Sequence, residues 1–586
     1  MTRGLAGAAA RLAPIGAGAL LLGSTATAQF NNQWLGYSDQ TNARLNSAPG
    51  VGINDLQEKD YIWGDLDQNG FTDLVSVRKQ PVTTNGKFAN VLFMNSNGVF
   101  TDSTAAFASA TNVPGDNGFL TPTNDRDVGV ADVDLDGWLD VITSPALSPG
   151  DPKHISHPRV YLNQGESGGN WLGLLFDNDR IPQLTTASGT PTTPDFCGVA
   201  AGDVDRDGDQ DLYFAHYDQG NGGLDMNDKL LINDGGGFFT DESNTRVPSG
   251  MLNSSFGTAA YILDLNMDGH NDILKNENGP SDGAWSNATA PGFYSIWDNV
   301  YGGASYHVGV GDLNNDGRPD AIFSDDGADR YAYNLGTDPL GRPIWGSNKT
   351  FQFLAGGDDG FCSNSVAEDL DGDGWKDVAI CDVDVDVGGC GRRFHLYHNP
   401  GGTVGQEITL VEERQSSSNG WVGAVGLQPS NLTGSHDVAI FDIENDGDLD
   451  MILGRCSGTT IYVNQVNPEC ATDLGFGGNV RLQVCGGFGA GEVSTIRVDN
   501  APPATQVFVF VSLSSNPTPI PNIGTIVPVP ANLLIEVNST PFGAWQSGPI
   551  PGGSGPSVAY VQAMVVDASK PLFVDLSNAV RVEFQP

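Results

Sequence analysis

The chain has 586 residues, with 77 glycines and with 28 Lys and Arg against 71 Asp and Glu, for a formal net charge of −43 at pH 7. So acidic a balance argues against nucleic acid or an anionic membrane as a partner. Few lysines and abundant glycine fit a turn-rich, all-β chain.

Residues 1–28 read as a secretory signal peptide. Arg3 and Arg11 accompany an apolar stretch too short to span a bilayer, and the small-residue site Ala26-Thr27-Ala28 precedes Gln29. The expectation is an exported, monomeric protein, secreted or at the cell surface, with no transmembrane segment after signal cleavage.

From residue 65 onward a nine-residue pattern, D-x-[DNE]-x-[DN]-G-x-x-D, recurs seven times, each copy followed by an apolar residue. Loop 1 is DLDQNGFTD, loop 2 DVDLDGWLD, loop 3 DVDRDGDQD, loop 4 DLNMDGHND, loop 5 DLNNDGRPD, loop 6 DLDGDGWKD and loop 7 DIENDGDLD. Residues one, three and five point inward when the chain wraps around a point, the glycine at six takes the turn, residue seven offers its carbonyl and residue nine closes the ring.

The candidate metal ligands follow loop by loop. Loop 1 offers Asp65, Asp67, Asn69, Phe71 and Asp73, and loop 2 Asp132, Asp134, Asp136, Trp138 and Asp140. Loop 3 offers Asp203, Asp205, Asp207, Asp209 and Asp211, and loop 4 Asp264, Asn266, Asp268, His270 and Asp272. Loop 5 offers Asp312, Asn314, Asp316, Arg318 and Asp320, loop 6 Asp369, Asp371, Asp373, Trp375 and Asp377, and loop 7 Asp442, Glu444, Asp446, Asp448 and Asp450. Oxygen donors of this kind suit Ca²⁺, up to seven ions, over Zn²⁺, Cu²⁺ or Mg²⁺. Asn69, Asn266 and Asn314 keep an oxygen but lose a charge, so their loops should bind more weakly. No loop has the twelfth-position Glu of an EF-hand. β-rich runs follow instead, such as LVSV after Asp73 and AIFS after Asp320, so each loop should join two antiparallel strands.

Further strands are marked by NVLFMNSNGVFTD from Asn90, RVYLNQG from Arg159, KLLINDGGGFFTD from Lys229 and TIYVNQ from Thr460. With the loops, these residues resemble the FG-GAP or VCBS repeats of integrin α subunits and of many secreted bacterial proteins, over about residues 45–465. The resemblance implies a seven-bladed β-propeller across residues 29–468. The last blade would be completed by the N-terminal stretch from Phe30 to Tyr37. In integrins the matching loops lie opposite the ligand, which implies that calcium is a structural staple.

Residues 469–586 lack the acidic loops and carry short alternating runs such as TQVFVFVSL from Thr505 and VAYVQAMVVD from Val558, which read as a small C-terminal β-sandwich. The fold class expected is therefore all-β, a propeller followed by a sandwich. The C-terminal part is a cap or spacer, with carbohydrate binding, attachment or sorting as the sharper alternatives. Cysteines 197, 362, 381, 390, 456, 470 and 485 are odd in number, and Cys381 with Cys390 and Cys470 with Cys485 are the nearest candidate pairs.

No catalytic constellation stands out. His154 with His157 and His395 with His398 form no recognisable motif, and Asp241-Glu242-Ser243-Asn244-Thr245 has adhesion-site spacing but falls in an outer-strand turn. Two long segments rich in Trp, Tyr, Asn and Asp, from Pro145 to Asp179 and from Asn276 to Tyr306, are candidate ligand surfaces. The functional expectation is a calcium-binding module that binds or adheres to carbohydrate or protein ligands. The alternative is a secreted polysaccharide- or phospholipid-degrading enzyme.

Overall fold

Repeated first-to-second-strand hairpins, each closed by an acidic loop, dominate the computed structural model of the protein. It describes residues 35–584 except 49, 187, 192, 218–226, 254–255, 278–280, 287–288, 304, 326, 353–361, 383–389, 392, 413, 417–419, 422–423, 426, 428–431, 466–469, 476–479, 490–492, 503, 522, 541–542, 553–556, 568–569 and 571–572. The leader expected at 1–28 and the stretch 30–34 lie outside the described residues. The chain is all-β; among the described residues the helices are single turns, and none is long and apolar enough to cross a membrane.

Seven sheets with antiparallel cores follow one another, one per acidic loop, and three of them add a short parallel fifth strand at the edge. The first takes Glu58–Gly64, Asp73–Lys79, Val91–Ser96 and Val99–Asp102 in order, and the third takes Phe196–Gly202, Asp211–His216, Lys229–Asn233 and Phe239–Asp241 in the same order. The seventh has Ser435–Phe441, Asp450–Arg455 and Gly458–Asn464, and its fourth strand is Leu35–Asp39 from the other end of the chain, with Tyr37 opposite Asn464 and Asp39 opposite Tyr462. A strand from the N-terminus thus pairs into the last sheet, and of the expected stretch, Leu35 to Tyr37 falls within the described residues.

Second strands are buried on both faces, as in Asp320–Ala321-Ile322-Phe323, because each sheet packs against the next. Ile62 and Val75 of the first sheet pack with Val128, Val130 and Val141 of the second. Val199, Leu212 and Phe214 of the third meet Ile142 and Val160 of the second. One further cluster joins Val366 and Ala379 of the sixth sheet, Val438 and Leu453 of the seventh, and Tyr61 and Leu74 of the first. Burying each such side chain contributes about 1.5–3 kcal/mol, so most of the stability of a sheet comes from its neighbours.

Beyond residue 470 two further sheets face one another. Arg481–Gly486, Val493–Asp499 and Trp545–Gln546 make one, and Val574–Phe584, Ser557–Val566, Gln506–Ser512 and Leu533–Asn538 the core of the other. Val484, Ile496, Val509, Val561 and Val580 fill the space between them.

Two disulfides are present among the described residues. Cys470–Cys485 joins the nearest candidates, but Cys390 pairs with Cys456 across 66 residues and not with Cys381. Cys381 is fully buried in the apolar cluster shared with the seventh sheet, out of reach of a surface turn. Cys456 sits beside Gly434, where a Cβ would meet its Sγ at 2.5 Å, so residue 434 must lack a side chain.

Candidate metal centres

Every acidic loop is the turn between the first and second strands of its sheet. Residue nine opens the second strand, and Asp73, Asp140, Asp211, Asp272, Asp320, Asp377 and Asp450 are each at most 1% exposed. One carboxylate oxygen accepts the N–H of residue two, at 2.8 Å for Leu313 and 3.1 Å for Val204 and Leu265. Leu66, Val133, Leu370 and Ile443 repeat the bond. The other oxygen accepts an N–H from the third strand, that of Asn95, Asn163, Asn233, Ser286, Asn334, Asn399 or Asn464.

Residue one closes the turn from the opposite side. Asp132 accepts from the amides of Asp136 at 3.1 Å and Gly137 at 2.9 Å, and Asp369 from Asp373 at 3.0 Å and Gly374 at 2.8 Å. In loop 3 the first of these bonds shifts to Arg206. Residue four is left-handed in every loop, with φ from +56° at Gln68 and Asn315 to +74° at Gly372, and residue six from +83° at Gly317 to +105° at Gly447. For Leu135 or Met267 this conformation costs about 1–2 kcal/mol, which the surrounding amide bonds must offset.

The turn so held gathers oxygens. Asp65, Asp67 and Asp73 place ligand atoms within 4.8 Å of one another, as do Asp132, Asp134 and Asp136, Asp203, Asp205 and Asp211, and Asp369, Asp371 and Asp377. Asn266 and Asn314 occupy position three of loops 4 and 5, and each side-chain oxygen accepts from residue five, at 2.9 and 3.1 Å. Asn69 turns its amide nitrogen to the Asn95 carbonyl and its oxygen to the Phe71 amide. Arg318 bonds the Asp316 carboxylate of its own loop, while Phe71, Trp138, His270 and Trp375 occupy position seven of loops 1, 2, 4 and 6.

Burial, reinforced by neighbouring carboxylates, pushes Asp65, Asp132 and Asp369 up to about 7, and Asp211 and Asp373 up to about 8. Several carboxylate oxygens are buried with no hydrogen-bond partner: Asp134 Oδ1, Asp205 Oδ1, Asp209 Oδ1, Glu444 Oε2 and both oxygens of Asp448. Crowded carboxylates and orphaned acceptors fit a divalent cation at these loops, with oxygen donors alone except at loop 6, where the His398 ring nitrogen stands 3.5 Å from the Asp371 carboxylate.

The asparagines at the end of the third strand lie outside the ligand pattern of the loops, although LFMN, VYLN, LLIN and IYVN display them. Their side-chain amides tie each loop to the one before: Asn163 to the Leu66 carbonyl at 2.8 Å, Asn233 to Val133 at 2.7 Å, Asn334 to Leu265 at 2.7 Å, Asn399 to Leu313 at 2.8 Å and Asn464 to Leu370 at 3.2 Å. Asn95 of the first repeat reaches Ile443 of loop 7 at 3.0 Å. Repeat 4 has Ser286 at this place, and there Asn271 takes over the link, donating to the Asp203 carbonyl at 2.9 Å.

Other candidates resolve into structure. Asp241 Oδ1 accepts from the hydroxyl and amide of Ser243, the first residue of a single helical turn. Part of each of the two long segments forms paired strands, Arg159–Asn163 with Leu174–Phe176 and Ser281–Trp285 with Ile296–Tyr301. His395 is fully buried between Asp382 at 3.1 Å and Glu412 at 2.9 Å, and Arg393 pairs with the same Glu412.

Residues 203–274 match the family model of the FG-GAP-like repeat. The matched span runs from loop 3 to loop 4 and takes in the second to fourth strands of the third sheet. Among curated proteins no match to the chain is found. Solved structures similar to it include an exo-β-1,3-galactanase from Phanerochaete chrysosporium with galactose, at 10% identity over 81% of this chain and 99% of that one with a TM-score of 0.28. The V. cholerae biofilm matrix protein Bap1 aligns at 11% identity over 69% and 70% with a TM-score of 0.28. Likenesses this distant carry no argument about function.

Proposed function

We propose that the seven sheets are the blades of a closed β-propeller, stapled by up to seven Ca²⁺ ions, and that the protein is an extracellular binding or adhesion module for carbohydrate or protein ligands. The observation that carries this reading is the return of the chain upon itself. The loop-to-loop links run through all seven repeats and back to the first through Asn95 and Ile443, and Leu35–Asp39 is built into the last sheet. A repeat whose apolar faces are covered only by its neighbours gains most when the array has no open ends.

The calcium reading rests on the donor set. Carboxylate and amide oxygens with a carbonyl at residue seven match a hard cation, which when bound supplies positive charge to groups otherwise crowded by like charge. At millimolar extracellular Ca²⁺, sites with dissociation constants on the order of 10⁻⁴ to 10⁻³ M are largely filled, and binding to the native state alone adds stability. The two disulfides suit the oxidising compartment that the leader implies.

A cavity of about 510 Å³ between loops 1–4 and the C-terminal sheets is the region best suited to a ligand, with Trp138, Arg206, Lys570 and Phe573 on its walls. Aromatic, amide and carboxylate groups around one space suit a neutral sugar, since aspartates outnumber Arg206 and Lys570 on its walls. A glycan array probed with purified protein, in calcium and in chelator, tests the binding role. Retention of specific glycans in calcium is the expected result, and hydrolysed or unsaturated products would defeat the binding-only reading.

A further inference from the structure

The C-terminal sheets approach the acidic loops unequally. Over loops 1–4 they stand off across the large cavity, whereas loops 6 and 7 are in direct contact with them. Gln546 donates to Asp369, residue one of loop 6, and Gln483 to Asp442, residue one of loop 7, at 3.3 Å. Both glutamines come from one sheet, the Trp545–Gln546 and Arg481–Gly486 strands flanking Val493–Asp499. Among the described residues, no other loop receives a C-terminal side chain at residue one.

The contact is fastened around these glutamines. Arg497 pairs with Glu368, the neighbour of Asp369, at 3.3 Å, and Arg481 donates to the Asn445 carbonyl at 3.0 Å. The Cys470–Cys485 disulfide lies on Gly447 of loop 7, where a Cβ would meet Cys470 Sγ at 2.4 Å. Enclosed in the contact is a cavity of about 40 Å³, lined among others by Asp369, Asp371, Asp448, Gln483 and Gln546.

Asp448 is the residue the contact leaves unexplained. It is 6% exposed, and neither of its carboxylate oxygens has a hydrogen-bond partner. It stands at position seven, where most loops offer only a carbonyl. Loops 3 and 7 alone carry Asp there, and in both an arginine holds the residue-three carboxylate: Arg246 with Asp205 at 3.0 Å and Arg44 with Glu444 at 2.8 Å. An oxygen at position seven replaces the share of residue three that the arginine takes. A buried carboxylate without donors is relieved either by a proton, shared with the Asp446 carboxylate beside it, or by a cation that meets both.

Resting on the calcium reading above, we propose that the cation sites of loops 6 and 7 are shared between the repeats and the C-terminal domain. Asp448, Gln483 and Gln546 act as added oxygen ligands, so that metal occupancy and the seating of the domain are coupled. Gln483, turned about its last bond, presents Oε1 in place of Nε2 to an ion held by residue one; Gln546 does so only by giving up the 3.3 Å bond that its Oε1 accepts from Arg497.

Hydrogen exchange on the full chain, in calcium and in chelator, tests this. Calcium should slow exchange in the seven loops and also in residues 481–486 and 545–546. The pair Gln483→Leu and Gln546→Leu should weaken two sites by roughly tenfold in a calorimetric titration and remove the protection of those strands, while Gln483→Glu with Gln546→Glu, which keep the oxygens, should preserve it. Loops that respond while residues 481–486 and 545–546 exchange alike in both conditions would overturn the shared sites and leave the staples standing. Loops that do not respond would overturn both.

Discussion

The side-chain amide of Asn95 donates at 3.0 Å to the backbone carbonyl of Ile443, a residue 348 positions away and at the second place of loop 7. The same amide group donates at 3.0 Å to the Thr72 carbonyl in its own loop, so one buried side chain fastens the first repeat to the last. Asn95→Ala leaves buried acceptors without donors and is expected to cost about 1–3 kcal/mol. Ser286→Ala, at the matching place in repeat 4 where the side-chain hydroxyl is buried and has no partner, should cost less. Urea unfolding of the two variants measures the difference, and equal losses would deny the link its role.

Chelation should lower the melting temperature markedly, because it removes ions that bind the folded chain alone. Asp132→Ala and Asp369→Ala should each reproduce part of the drop. Loops 4 and 5, with Asn266 and Asn314 at position three, and loop 1 with Asn69, should release calcium before loop 2 in a chelator titration followed by residue-resolved exchange.

His395 provides a pH signature away from the loops. Burial opposes its charged form, but the bonds to Asp382 and Glu412 outweigh this and push it up to about 10. A raised value means that its stabilising contribution is complete below the unfolded value near 6.5 and is lost as pH rises through about 10. Melting temperature should therefore fall between pH 7 and 10, and His395→Gln should flatten that slope while costing about 3 kcal/mol at neutral pH. A variant with the parental slope would contradict the assignment.

Tyr37 belongs to the strand that completes the seventh sheet. It is 4% exposed, its hydroxyl donates to the Leu449 carbonyl at 3.4 Å and its ring meets Tyr462 edge-on at 6.5 Å. Tyr37→Ala should cost about 3–5 kcal/mol, as for other large-to-small core changes. A near-neutral result by chemical denaturation would mean that the strand is not structurally required.

The loops were legible because everything they need is local. Ligand oxygens, the left-handed turn and the first residue of the next strand fall within nine residues. The completion of the last sheet was legible as a count, since the final loop has too few strands after it. The links made by Asn163 and Asn95 were not, although the asparagines stand in plain view, because a partner 97 or 348 residues away leaves no mark on local pattern. Proximity in sequence also misled the pairing of Cys381, whose place at the centre of a sheet turns it into the apolar core while Cys390 meets Cys456 from the adjoining repeat. The contact of Gln483 and Gln546 with loops 6 and 7 depends on how the C-terminal sheets are seated, which composition and periodicity do not encode.

Native mass spectrometry of the purified mature chain after exchange into millimolar calcium tests the central claim most directly. Several bound calcium ions per chain, up to seven, lost stepwise from variants altered at residue one of single loops, is the expected result. A chain that remains ion-free under those conditions would contradict it.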